Sequence, residues 1–333
     1  MKVAFFEIED WEIPFLQKKL IGQDLVFDPH VLREDTAKHY ADTQILSVFI
    51  YSILTAAVLS QMPKLKLIVT RSMGYDHIDL QYCKAHGITV CTIPNYGGNT
   101  VAEHAFALLL ALSRQLVPSI ERTRRGNFEV SGLAGFDLAG KTIGVIGIGN
   151  IGSNVVRIAK GFGMHVVVFS RHPSEELAKK MKVTFLSLRE LLQVSDVVSL
   201  HVPHDKKTHH MINSNNIKWF KKGAILINTA RGGLIETEAL VRGLEEGILK
   251  AVGLDVLEEE CGIKEERELL TGKFLQQCDL RTQLLNHVLL GKENVIITPH
   301  NAFNSEEALQ TILHTTVDDI LGYLQGNIVN IVK

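Results

Sequence analysis

Cysteine is scarce. The four in 333 residues, Cys83, Cys91, Cys261 and Cys278, show neither CxxC pairing nor a zinc-like layout. An excess of charge of one sign is also missing: the formal net charge is −2, which gives no electrostatic reason to expect nucleic acid or an anionic membrane as partner. The basic run Arg122-Thr123-Arg124-Arg125 is short, flanks an apolar helix and reads as a solvated helix end. No apolar run is long enough to cross a bilayer, since the longest, Ala105 to Leu112, falls far below the ~20 residues a spanning helix needs. The opening Met1-Lys2-Val3-Ala4-Phe5-Phe6 reads as a buried strand, without the apolar core or cleavage site of a signal peptide. Prolines are few and there is no low-complexity tract. These absences point to a reducing, cytoplasmic compartment.

What is present is alternation. With 46% hydrophobic and 22% charged residues the composition is that of a globular protein, and the length predicts two domains. Short β-branched or aromatic runs recur at Val3–Phe6, Leu25–Phe27, Ile45–Phe49, Leu67–Thr70 and Thr89–Cys91. Helical stretches near Pro14–Leu20, Thr55–Gln61 and Asp79–His86 separate them, an order that predicts βαβ units and a parallel sheet. Asn99–Thr100 opens a long apolar helix through Arg114, with Glu103 in its first turn where a capping box would place it. A second series follows at Ile143–Ile146, Val166–Phe169, Val197–Leu200, Ala224–Ile227, Ala251–Leu254 and Val295–Thr298. Six such runs with helices between them predict a doubly wound sheet. Ser305 to Gln325 is a last amphipathic helix, and the polar stretch from Cys261 to Glu293 reads as an insertion.

Gly147-Ile148-Gly149-Asn150-Ile151-Gly152 follows a strand and opens a helix, the context that gives G-x-G-x-x-G its meaning. The first glycine makes the tight turn, the second admits a pyrophosphate to the backbone, and the third allows helix and strand to pack closely. N–H groups at the start of that helix then face the phosphate. Dinucleotide binding is the expectation. At the end of the next strand, where NAD enzymes usually carry an acid for the ribose, the chain has Ser170-Arg171-His172. Loss of the carboxylate and gain of Arg171 favour NADP over NAD, while a surface-loop role for Arg171 would leave NADH acceptable.

Three more segments sit at strand ends: Asn228-Thr229-Ala230-Arg231-Gly232, Gly253-Leu254-Asp255-Val256-Leu257-Glu258-Glu259-Glu260 and Thr298-Pro299-His300-Asn301-Ala302-Phe303. Ligands bind beyond the carboxyl ends of strands in an open α/β sheet, so an arginine, an acid and a histidine there can converge on one pocket. Together with Arg71-Ser72-Met73-Gly74-Tyr75-Asp76-His77-Ile78-Asp79, Val101-Ala102-Glu103-His104 and His201-Val202-Pro203, these segments resemble the D-isomer-specific 2-hydroxyacid dehydrogenase family. Within it the D-lactate dehydrogenase branch is closest, and the resemblance runs nearly end to end.

The resemblance implies a role for each matching residue. His300 would pass a proton to the substrate carbonyl, Glu260 would hold and stabilise its imidazole, and Arg231 would bind the substrate carboxylate. The register among the three glutamates is open by one residue. The N–H groups of Met73 and Gly74 would hold the other side of the carboxylate, and Tyr96 would close over the substrate. Around the cofactor, the resemblance places Thr229, Ala230 and Arg231, with Asp255 beside the nicotinamide carboxamide and Val202, Pro203 and Thr208 on the adenosine side. His201, His204, His209 and His210 lie close in sequence, yet adjacent side chains diverge and no ligand set at metal spacing is completed, so no metal is expected.

The architecture implied is two Rossmann-like or flavodoxin-like parallel-sheet domains flanking an active-site cleft. The substrate domain would comprise residues 1–98 plus 300–333, and the dinucleotide-binding domain residues 99–299. The helix from Asn99 to Arg114 resembles the family's dimer-contact element, which implies a homodimer. The implied activity is hydride transfer between NAD(P)H and a small 2-oxo acid to give the D-2-hydroxy acid. Two other readings stand beside it: an NADPH-linked glyoxylate or hydroxypyruvate reductase, and a dinucleotide-sensing regulatory protein.

Overall fold

In the computed structural model, residues 1–259 and 279–332 are described. The chain divides into two compact units, Met1–Tyr96 with Asn304–Lys333, and Gly97–Phe303. The crossings therefore fall at Tyr96/Gly97 and Phe303/Asn304 instead of at 98/99 and 299/300. The cause is local. The long helix begins at Gly98, and the loop after Thr298 is tied by hydrogen bonds to Asp255.

The first unit begins β1 (Lys2–Phe6), α1 (Ile13–Lys19), β2 (Asp24–Asp28), α2 (Glu34–Ala37) and β3 (Ile45–Val48). It continues α3 (Ala56–Leu59), β4 (Leu67–Thr70), α4 (Leu80–Ala85) and β5 (Thr89–Cys91). The strands run parallel in the order β2-β1-β3-β4-β5. β3 and β4 are buried along their whole length, which is why they read as continuous apolar runs without alternation.

The second unit opens with α5 (Gly98–Ser113), α6 (Leu116–Arg124), β6 (Thr142–Ile146), α7 (Asn150–Gly161) and β7 (His165–Phe169). Next come α8 (Glu175–Met181), β8 (Thr184–Phe185), α9 (Leu188–Val194), β9 (Val197–Leu200), β10 (Ala224–Asn228) and α10 (Thr237–Glu245). β11 (Leu249–Leu254), α11 (Leu280–Leu290) and β12 (Val295–Ile297) complete it. The six expected strands are joined by β8, whose two residues are too few for periodicity to reveal. The parallel sheet runs β12-β11-β10-β9-β6-β7-β8, so the winding reverses at β6 and creates a switch point between β6 and β9.

One local expectation fails, and another, the solvated basic helix end, is met on a different helix. Asn99 does not cap α5: Gly97 holds that position without a side-chain bond, and the Asn99 amide donates instead to Glu103 from inside the first turn, at 2.5 Å. The basic run ends a separate helix, α6, none of whose residues is buried. Of the expected insertion, residues 261–278 lie outside the described part, and the remainder forms α11 behind an Asp279 cap. No helix among the described residues is long and apolar enough to cross a membrane.

The terminal helix α12 (Glu306–Leu324) returns to the first unit and buries Ile312, Leu313, Val317 and Ile320. Asp319 is buried on the same helix; Asn330 donates to one carboxyl oxygen at 2.9 Å, and the other has no hydrogen-bond partner among the described residues. Burial pushes its pKa up to about 7, against the opposing pull of the Asn330 bond. An unfolded aspartate releases its proton near pH 4, so this group lowers stability progressively between about pH 4 and about pH 7, by up to about 1.4 kcal/mol per pH unit. Asp319→Asn keeps an oxygen for the Asn330 amide and removes the charge. Denaturant melts should show a larger gain in stability at pH 8 than at pH 5; an equal shift at both would mean that ionisation is not the cause.

Candidate active site

The turn after β6 is built for close approach. Gly147 takes φ +95°, and a Cβ there would lie 2.5 Å from the His201 carbonyl oxygen in the loop after β9. A Cβ on Gly152 would lie 2.0 Å from the Gly147 carbonyl, so α7 rests directly on the turn. At Gly149, by contrast, no neighbouring atom lies within 4 Å of where a Cβ would sit. Gly149 is the N-cap of α7, with no side-chain bond to the first N–H groups. Asn150 and Ile151 open the helix. Open backbone, an uncapped helix start and a switch point fit a dinucleotide pyrophosphate.

The adenosine side takes its shape from two loops. The Ser170 hydroxyl accepts from the His172 N–H at 3.2 Å, and Arg171 is exposed with its Nη1 3.1 Å from Asp205 Oδ2. Val202 and Pro203 follow β9, where the His201 N–H donates to the Ile146 carbonyl at 2.8 Å. Thr208 is buried, and its hydroxyl bonds Pro203 O and Asp205 N at 2.7 Å each, so it shapes the loop and presents no free group. Burial of the His201 ring pushes its pKa down to about 3, which keeps it neutral.

Arg231, Asp255 and His300 follow β10, β11 and β12 at the carboxyl edge of the same sheet. After β10, the Asn228 side chain clamps the turn, accepting from Ala230 N at 3.0 Å and donating to Arg231 O at 2.9 Å. Thr229 Oγ1 in this turn is buried and has no partner among the described residues, a polar group fitted to a bound molecule. A Cβ on Gly232 would lie 2.0 Å from Leu257, so the turns after β10 and β11 pack tightly. Asp255 is buried after β11, and His300 after β12 adopts φ +54°, in the left-handed region. Glu260, the expected partner of His300, lies outside the described residues.

The residues assigned to the substrate from the first unit sit at the end of β4 and near the exit of that unit. Arg71 is buried and donates to Phe6 O at 2.9 Å and Glu7 O at 2.6 Å. The Ser72 hydroxyl contacts Thr70 Oγ1 at 2.8 Å and Gly74 O at 2.5 Å, pinning the turn that carries Met73 and Gly74. Tyr96 is the last residue of that stretch.

Two contacts were not foreseen on the sequence: that of His104 with Asp255 and Thr298, and that of Glu258 with His210. Asp255 Oδ1 accepts from Thr298 Oγ1 at 2.5 Å and Asn301 N at 3.0 Å, and Oδ2 from Ala302 N at 2.8 Å. His104 on α5 reaches Thr298 Oγ1 at 3.0 Å and Asp255 Oδ1 at 3.5 Å. The aspartate thus grips the loop bearing His300. Val101-Ala102-Glu103-His104 carried the only signal for this, without a role attached. Glu258 receives His210 Nε2 at 2.5 Å and the Thr237 hydroxyl at 2.7 Å; burial alone would raise its pKa, but these bonds outweigh it and hold the carboxyl low. His204 and His209 contact each other at 3.1 Å, and among the described residues no cluster of three or more His, Cys, Asp or Glu is arranged to hold a metal ion.

Comparison with known proteins follows the same lines. Residues 106–302 match the family described as D-isomer specific 2-hydroxyacid dehydrogenase, NAD binding domain. A 2-hydroxyacid dehydrogenase homolog from Zymomonas mobilis is 36% identical over 328 residues, covering 96% of both chains. D-lactate dehydrogenase from Escherichia coli is 33% identical over 330 residues, covering 98% of both. The crystal structure of D-lactate dehydrogenase from Aquifex aeolicus, complexed with NAD and lactic acid, superposes with a TM-score of 0.85 at 40% identity, covering 98% of this chain and 96% of that one.

Proposed function

The chain belongs to the D-isomer-specific 2-hydroxyacid dehydrogenase family, and on that premise we propose that it reduces a small 2-oxo acid of the pyruvate type to the D-2-hydroxy acid. The bound nicotinamide dinucleotide supplies the hydride for the carbonyl carbon. Arg231 pairs with the substrate carboxylate and draws electron density from the carbonyl, a task suited to its planar guanidinium. The Met73 and Gly74 N–H groups hold that carboxylate as well, and Tyr96 covers the substrate. His300 delivers the proton to the carbonyl oxygen and takes it back in the reverse direction. Glu260 is the partner that the family resemblance assigns to this imidazole.

One observation carries this reading. A non-glycine residue in the left-handed region is under strain, and here three donors fixed on Asp255 maintain it at a ligand-binding edge. Ser170 and Arg171 lack the usual ribose acid, which supports use of NADPH as well as NADH. Reduction of a panel of 2-oxo acids, followed with each cofactor separately, tests the reaction. Dinucleotide binding without any turnover would favour a sensing protein instead.

The reading includes a cytoplasmic homodimer. Cys83 and Cys91 are buried free thiols, and burial pushes their pKa values to about 11 and about 12, which leaves them protonated and inert. The apolar face of α5 is buried in its own unit, where Ala105, Leu108, Leu109 and Leu112 pack in the core, so it offers little to a partner. Leu116, Val117 and Ile120 on α6 are exposed, and Phe128 and Val130 beyond it are each 80% exposed. This apolar surface suits a second copy better. Ile120→Asp with Phe128→Asp is expected to convert dimer to monomer in sedimentation velocity; a persisting dimer would put the interface elsewhere.

A further inference from the structure

Arg171 does not stand alone at the end of β7. Its Nη1 is 3.1 Å from Asp205 Oδ2, contributed by the loop after β9. That carboxylate is held in place from its other side, because Oδ1 accepts the N–H groups of Lys207 at 2.7 Å and Thr208 at 3.0 Å. The Asp205 N–H is itself fixed on Thr208 Oγ1, at 2.7 Å. The Lys207 and Thr208 bonds, with the Arg171 guanidinium, keep the carboxyl below the usual carboxylate range, so the group is charged at neutral pH. The ion pair joins two loops at the switch point, where the adenosine end of a dinucleotide belongs.

We propose that Asp205 is a built-in counter-charge to Arg171 that restrains the use of NADPH and keeps NADH competitive. The argument rests on the reading that the adenosine ribose lies beside Ser170 and Arg171. A 2′-phosphate entering there competes with Asp205 for the guanidinium and meets a fixed negative charge within the same few ångströms. A 2′-hydroxyl meets neither cost. Without the carboxylate, Arg171 and the exposed Lys206 and Lys207 leave the two loops basic, which is the charge a phosphate requires. Cofactor choice therefore depends on a pair of residues, and the arginine read by itself overstates the preference for NADPH.

D205N tests this with little disturbance, since its amide oxygen still accepts the Lys207 and Thr208 N–H groups. Calorimetric titration of the full chain with adenosine 2′,5′-bisphosphate and with ADP reads the ribose site without turnover. D205N is expected to tighten the bisphosphate about tenfold at low salt while changing ADP less than about twofold, with the gain shrinking as salt is raised. R171A should weaken the bisphosphate and leave ADP nearly unchanged. The ratio of kcat/KM for NADPH to that for NADH should rise in D205N. If R171A weakens the bisphosphate but D205N does not tighten it, Asp205 is no counter-charge. Equal weakening of both ligands in D205N would assign the residue to loop shape alone. If neither variant alters either ligand, the ribose lies elsewhere and the underlying placement fails first.

Discussion

Replacing His300 by alanine is expected to lower kcat by about 10²–10⁴-fold while leaving dinucleotide affinity unchanged. The imidazole is the proton donor proposed at the carboxyl edge of the second sheet, and the phosphate turn at Gly147–Gly152 lies after β6, on another strand. Loss of the donor removes a group needed when the carbonyl oxygen gathers charge, and nothing in the pyrophosphate cradle depends on it. Backbone strain complicates alanine, since φ +54° disfavours a plain Cβ. His300→Asn controls for this, because asparagine tolerates the left-handed region without offering an acid of useful pKa. Both variants should be slow, and the asparagine one should be the more stable in thermal melts. Full activity in His300→Asn would end the assignment of the imidazole as the acid. Loss of dinucleotide binding in both would make His300 a structural residue.

Much of this molecule is legible in its sequence because parallel strands covered on both faces advertise themselves. Ile143–Ile146, Val197–Leu200 and Leu67–Thr70 are short apolar runs bounded by turns, and the sheet places each of them as a strand. The glycine turn is legible for a related reason: at Gly147 and Gly152 any side chain would strike backbone, so the residue type reports the contact. β8, with two residues, offers no period to read. α6 is short, and its apolar residues Leu116, Val117 and Ile120 stay exposed, so no stripe buried within the chain marks it.

The site was less legible than the fold, and the difference lies in sequence separation. Arg171 and Asp205 are 34 positions apart, and nothing local to either reveals the pair. His104 meets Thr298 across 194 positions, so a motif on α5 acquires its meaning only when the sheet brings the end of β12 to it. Asp255 shows the limit most clearly. Its position after a strand pointed to the pocket, but the direction of its carboxylate, towards the loop bearing His300, is a property of the assembled edge.

Asp255→Asn separates the two roles open to that residue. Asp255 is 1% exposed, and its two oxygens accept three donors: the Thr298 hydroxyl and the N–H groups of Asn301 and Ala302. An asparagine keeps one acceptor and turns an NH₂ towards a donor, which leaves buried N–H groups unpaired at about 1–3 kcal/mol. Bonds to an ionised acceptor are also stronger than those to a neutral amide. The expected result is a loss of about 2–3 kcal/mol in unfolding free energy, with kcat down about 10–100-fold, since a catalytic group displaced by about 1 Å can lose that much rate. Dinucleotide affinity should change little. Thr298→Val, which removes one donor and keeps the carboxylate, should show the same pattern more weakly. The alternative outcome is distinct: a rise in KM for the cofactor with unchanged stability would mean that Asp255 acts on the nicotinamide directly. In that event the strain at His300 must be maintained by other contacts of its loop.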